Sequence, residues 1–185
     1  MTLQLAIVLP TFNERSNLRT LVERLDAALG AVAWEAIVVD DNSPDGTAKI
    51  AEGLAAELGD ITVLRRPNKS GLGAAYRAGI RAAIDAGAEI CIQIDADLSH
   101  DPVEIPALIS AVEHGVDAVI VSNHGPHRYD EIHFPWKASI SLFRIHLYNL
   151  CLKDDLTPKQ TFQLFLESAT KCTDRMSNYL DELLR

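Results

Sequence analysis

Short apolar runs alternate with longer stretches in which apolar residues return every three or four positions. The short runs are residues 5–9, 36–39, 61–64, 90–94 and 118–121. Each is brief, bounded by turn residues, and reads as a buried strand. Between them, Leu18, Leu21, Val22, Leu25, Ala28 and Leu29 share one helical face that Gly30 closes, with Asn13 expected as N-cap. Ile50, Leu54, Ala55 and Leu58 predict a second helix, and residues 74–86 a third. A fourth runs from Pro102 to about His114, where Asp101 can cap, Pro102 takes the first helical position and Glu104 completes a capping-box-like pattern. Strand–helix alternation of this kind predicts an α/β fold: a mostly parallel sheet with helices on both faces. Each strand ends in polar or acidic residues, so several loops converge on one edge.

The pattern changes after residue 121. Residues 122–135 hold His124, His127 and His133 without periodicity and predict an irregular flap. Residues 136–152 are apolar round much of a helical circumference, which predicts a helix packed in the core or lying in a membrane interface. Lys153 to Pro158 break it. Phe162, Ala169, Met176 and Leu183 then recur at seven-residue spacing with Phe165, Cys172 and Tyr179 between them. That stripe predicts a helix over residues 162–183, seated on its own domain or used for a partner or a second copy. The expected organisation is a ligand-binding α/β core over 1–121 and a loop with C-terminal helices over 122–185, in the same domain.

Composition narrows the function. The 185 residues are 48% hydrophobic and 23% charged, enough for one domain with a core. A formal net charge of −9 argues against nucleic-acid binding, which needs a basic footprint. Three widely spaced cysteines, Cys91, Cys151 and Cys172, fit neither a disulfide framework nor a zinc site and suit a reducing compartment. Cys91, inside an apolar run, reads as a small buried hydrophobe. Neither a signal peptide nor a membrane-spanning run is expected, which leaves the cytoplasm as the anticipated location.

The candidate chemistry centres on Gln93-Ile94-Asp95-Ala96-Asp97-Leu98-Ser99-His100-Asp101-Pro102. Residues two apart on an extended chain point the same way, so Asp95 and Asp97 can face one point at the carboxyl end of a strand. Ligands bind at that edge of open α/β sheets. Two hard oxygen donors there suit Mg²⁺ or Mn²⁺, with diphosphate oxygens completing the shell. Asp40 and Asp41 close a second strand, where one carboxylate could accept hydrogen bonds from a base or ribose. Asp45-Gly46-Thr47 predicts a tight turn opening a helix. Lys69, Gly71 and Gly73 could let an ammonium and bare backbone approach a phosphate. Gly71-Leu72-Gly73 does not leave a strand directly, so it is no dinucleotide fingerprint, and neither a P-loop nor a serine-hydrolase elbow is present.

Four segments come in a telling order: Leu9-Pro10-Thr11-Phe12-Asn13-Glu14, Val38-Val39-Asp40-Asp41-Asn42-Ser43-Pro44-Asp45-Gly46-Thr47, Arg66-Pro67-Asn68-Lys69-Ser70-Gly71-Leu72-Gly73-Ala74-Ala75-Tyr76, and the run around Asp95 and Asp97. Together they resemble family 2 glycosyltransferases, above all the polyprenyl- and dolichyl-phosphate mannose synthases. The resemblance spans residues 3 to about 121. It implies a GT-A fold. It implies that Pro10, Phe12, Asn13, Glu14 and Asp41 line a nucleotide pocket, with Lys69 and Gly73 near the phosphates, and that Asp95 and Asp97 hold the metal and donor diphosphate. The implied reaction moves mannose from GDP-mannose to a polyprenyl or dolichyl phosphate with inversion, at the cytoplasmic face of a membrane. On the acceptor side the resemblance points to Lys137 and Ser141. Where the family reads Gly-Ser-Arg-Tyr this chain has Val121-Ser122-Asn123-His124, and its C-terminal third departs from the pattern. A nucleotide-sugar-binding, catalytically impaired homologue acting through a partner is the alternative. A sugar-phosphate nucleotidyltransferase would need a glycine-rich N-terminal loop that is missing.

Overall fold

The computed structural model describes residues 5–113, 118–122 and 138–144. Among the described residues six strands form one sheet: β1 (Leu5–Thr11), β2 (Trp34–Asp40), β3 (Ile61–Arg65), β4 (Ile90–Ile94), β5 (Ala118–Ser122) and β6 (Ala138–Arg144). The helices are α1 (Leu18–Leu29), α2 (Thr47–Leu58), α3 (Leu72–Asp85) and α4 (Ile105–Glu113). The sheet order is β3-β2-β1-β4-β6-β5. β1 pairs in parallel with β2 and β4, and β2 with β3. β6 runs antiparallel to both β4 and β5, so it alone opposes the other five.

All seven residues of β1 are buried, as a strand covered on both faces must be. α3 lies on the face that carries Val8 and Val39, and Gly79 is what lets it come so close. A Cβ there would run into Val8 Cγ1 and stand 3.0 Å from Val39 Cγ2. α1 packs with α2 and with α4. α1 buries Leu18, Leu21, Val22, Leu25 and Leu29, the spacing of a single apolar stripe.

The element starts follow local chemistry. Gly46 and Gly71 hold φ of +89° and +91° before α2 and α3, a region that L side chains rarely enter. The Asp45 carboxylate accepts from both the N–H and the hydroxyl of Thr47 at 2.9 and 2.6 Å, which builds the expected turn. Asp101 accepts from Val103 N at 3.2 Å and caps a 3₁₀ turn, Pro102–Glu104, that leads into α4. Pro106 has no N–H to return to Pro102, so this first turn closes as 3₁₀, with Ile105 N–H bonded to Pro102 O.

Two expectations are corrected. Asn13 is not the N-cap of α1: it holds φ +64°, and the helix begins four residues later behind Asn17. Asparagine tolerates the left-handed region, and here it turns the chain so that Asn13 N–H donates to Ser43 Oγ at 3.0 Å. Residues 138–144, read as part of a helix, form β6. A short apolar run does not by itself distinguish a helix from a buried strand. As a strand between β4 and β5 this segment satisfies backbone groups along both edges. The flap expected after residue 122, Lys137 and the helix expected over 162–183 lie outside the described residues.

Candidate active site

β2 and β4 flank β1 on opposite sides, and the chain leaves β1 for one side and later returns to the other. That reversal opens a crevice at the carboxyl ends of the strands. A cleft of about 260 Å³ occupies it, lined by Pro10, Thr11, Phe12 and Glu14 after β1, Asp41 after β2, Lys69 before α3, Leu72 and Ala75 in α3, and Asp95, Ala96 and Asp97 after β4. Seven of the nine nucleotide- or metal-site residues named from the sequence are in this lining. Asn13 and Gly73 are not: both are exposed, Gly73 in the first turn of α3. Ser141, expected from the sequence to serve the acceptor, occupies the β6 position paired with Gln93 of β4, two residues before Asp95.

The two carboxylates after β4 are held in different ways. Asp97 Oδ1 accepts from Ser99 N–H at 2.9 Å within its own turn. Leu98 makes that turn possible by adopting φ +62°, an uncommon conformation for a branched side chain. Burial raises the pKa of Asp97, but the Ser99 hydrogen bonds and the nearby His100 outweigh it and hold the carboxyl below its usual value. Asp95 takes its partner from α3, where the Tyr76 hydroxyl donates to Oδ1 at 2.7 Å. Burial first, and then the charge of Asp95, push the Tyr76 phenol far above its ordinary pKa, so it stays a donor.

The far wall is also braced. Asp41 is 6% exposed and meets Arg66 Nη1 at 2.8 Å. Asp40 is buried, accepting from Ser43 N–H at 3.0 Å and from the Thr11 hydroxyl at 3.3 Å. The loops after β1 and β2 are zipped together: Glu14 N–H donates to Thr47 Oγ1 at 3.0 Å and Arg15 N–H to Asp45 Oδ2 at 3.1 Å. Lys69 Nζ stands 3.7 Å from the centroid of the Phe12 ring, a cation–π contact at the cleft mouth. Sequence reasoning missed Arg66 and Tyr76. The signal for Tyr76 was its place on the Leu72-Ala75-Tyr76 face of α3.

Asp41 is offset by Arg66, but Glu14, Asp95 and Asp97 line the cleft against one lining cation, Lys69. An anionic diphosphate would meet net repulsion there unless a cation stood between. Among the described residues no cluster of three or more metal-binding side chains occurs; Asp95 and Asp97 line the cleft together as two hard oxygen donors. That donor set fits Mg²⁺ or Mn²⁺ bound together with a diphosphate.

A switch-point cleft with paired carboxylates at the end of the fourth strand defines the GT-A type of nucleotide-sugar transferase fold. The chain belongs to glycosyl transferase family 2, whose sequence model matches residues 6–173. It is 42% identical over 121 residues to the polyprenol monophosphomannose synthase of Mycolicibacterium smegmatis, covering 65% of this chain and 45% of that protein. It is 38% identical over 122 residues to the dolichol-phosphate mannosyltransferase of Pyrococcus furiosus, covering 66% of this chain and 34% of the other. The chain thus spans a third to a half of the length of these relatives. Among solved structures, the mannosyltransferase PcManGT of Pyrobaculum calidifontis in complex with GDP-Man and Mn²⁺ superposes with a TM-score of 0.63 at 19% identity, covering 91% of this chain and 51% of that one. S. aureus TarS in complex with UDP gives 0.65 at 17% identity, over 90% of this chain and 55% of its own. Likeness at this identity supports the fold.

Proposed function

We propose that this protein transfers a mannosyl group from GDP-mannose to a polyprenyl phosphate, with inversion at the anomeric carbon. The observation that carries the reading is the convergence of Asp95, Asp97 and Asp41 on one cleft at the sheet's switch point. The names of the relatives, polyprenol- and dolichol-phosphate mannosyl enzymes, support the substrate pair.

In this reading the base lies between Pro10, Phe12 and Asp41, and the diphosphate reaches toward Asp95, Asp97 and Lys69. A divalent cation between the two aspartates would offset charge on the departing nucleoside diphosphate. An oxygen of the lipid phosphate attacks the anomeric carbon from the face opposite the leaving group. The carbon–oxygen bond to the diphosphate breaks, and its electron pair leaves with GDP. A phosphate monoester with a second pKa near 6 is already largely dianionic at neutral pH, so the attack needs no strong base. What the protein contributes is orientation and charge stabilisation. Among the described residues no helix is long and apolar enough to cross a membrane. In this reading the lipid acceptor brings the protein to the cytoplasmic face of a membrane.

Calorimetric titration of GDP-mannose with Mn²⁺ and then with EDTA tests donor binding. Transfer of labelled mannose to polyprenyl phosphate tests the reaction. Metal-dependent binding and label transfer, both abolished in a folded Asp97→Ala variant, are expected. Binding without transfer would support the impaired homologue. Turnover retained in Asp97→Ala would reject the metal role.

A further inference from the structure

The two aspartates after β4 differ in what orients them. Asp97 is held by the next turn of its own chain, through Ser99 N–H. Asp95 has no such local donor among its hydrogen bonds in the described residues. Its Oδ1 is held from a different element, by the hydroxyl of Tyr76 at 2.7 Å, across 19 residues of sequence. The Tyr76 ring packs against the hydrophobic core, and phenylalanine would pack there equally well. The hydroxyl is therefore the informative atom. It needs an acceptor once buried, and the acceptor it uses is a carboxylate that lines the cleft.

We infer that Tyr76 is a positioning residue, which fixes the Asp95 carboxylate so that its second oxygen is presented to a cation shared with the nucleotide diphosphate. The inference rests on the donor-binding reading above. A carboxylate on a free Cβ–Cγ bond samples several orientations, and binding a cation in one of them loses that freedom. The Tyr76 bond removes the loss in advance. Oδ2 of Asp95 is then the oxygen of that carboxylate which the Tyr76 bond leaves unengaged. The same helix that carries Tyr76 supplies Leu72 and Ala75 to the cleft and follows directly from the loop of Lys69. The seating of α3 on the sheet thereby sets both the wall of the cleft and the aim of Asp95.

The test compares Tyr76→Phe with the wild type in GDP binding, measured by calorimetry with Mn²⁺ and with EDTA. Mn²⁺ electron paramagnetic resonance in the presence of GDP reports the metal directly. The expected result is about a tenfold loss of GDP affinity in Mn²⁺, the size of one hydrogen bond to a charged group, with affinity in EDTA unchanged. In an Asp95→Asn background, Tyr76→Phe should cost nothing further in Mn²⁺-dependent affinity. Equal losses with and without metal, or full additivity with Asp95→Asn, would mean a packing role and overturn the inference. So would an unchanged Mn²⁺-dependent affinity. Should Tyr76→Phe fold poorly, Tyr76→Met, which also lacks a donor and adapts to the packing, replaces it and is read by the same metal-dependent difference. If the wild type bound GDP no better with Mn²⁺ than with EDTA, the functional reading itself would fall, and this inference with it.

Discussion

Gly79→Ala is the smallest change that tests how closely α3 lies on the sheet. The added methyl would overlap Val8 Cγ1 and reach Val39 Cγ2 at 3.0 Å and Val8 Cβ at 3.3 Å. Carbon atoms rest comfortably near 3.5–4.0 Å, so neither valine can stay where it is. Both are β-branched and stiff at χ1, and both belong to buried strands, so the helix must lift. Overpacking of this severity costs about 3 kcal/mol. Replacing glycine by alanine inside a helix returns about 1 kcal/mol. The net loss is then about 2 kcal/mol, or roughly 1 M in the urea midpoint for a slope of about 2 kcal/mol/M. Urea unfolding followed by circular dichroism measures it. Val8→Ala removes the clashing methyl, so the double variant should be more stable than the two single losses predict by more than about 1 kcal/mol. An unchanged or higher midpoint in Gly79→Ala would refute the close approach. Strict additivity would show that Val8 is not what the methyl meets.

Arg66→Met should cost up to about 3 kcal/mol in urea unfolding, because it leaves the nearly buried Asp41 carboxylate without its counter-ion. Most of that should return in the Arg66→Met, Asp41→Leu double variant. Asp45 has a depressed pKa: burial opposes ionisation, but the bonds from Thr47 and Arg15 overcome it. Its stabilisation is present above the unfolded carboxylate pKa of about 3.9 and lost as pH falls through the lower folded value, so Asp45→Asn should flatten the acid limb of a stability–pH curve. The Cys91 thiol is buried, and burial pushes its pKa up. Peptide mapping after maleimide treatment should find Cys91 unlabelled in the native protein and labelled in urea; labelling under native conditions would contradict its burial.

Much of this arrangement could be read from the chain, for a physical reason. Five of the six strands are short apolar runs punctuated by polar ends, and in an open α/β sheet those ends are the binding edge. Pro10, Phe12, Glu14, Asp41, Asp95 and Asp97 reach the cleft because each stands at or just after a strand end. Arg66 and Tyr76 were not legible. Their meaning lies in partners 25 and 19 residues away, Asp41 and Asp95, and such pairings depend on how helices seat on the sheet. β6 was misread because its apolar residues satisfy a helical and a strand spacing equally, and the deciding factor, two bare strand edges waiting on either side, belongs to the tertiary structure. Asn13 was misread because a residue that caps helices also turns chains.

The place of β6 has a consequence for how the polypeptide is made. Among the described residues β5 lies at the end of the sheet with β6 as its one neighbour, yet it is synthesised first. While residues 123–137 are still being added, β4 carries an unpaired edge and β5 has no ladder to join. A nascent or prematurely terminated chain ending in that interval would expose β4, the strand that leads into Asp95, as a template for pairing with other molecules. Ribosome stalling or proteolysis in this window should therefore yield aggregates in preference to a smaller soluble domain. A useful expression boundary lies beyond Arg144.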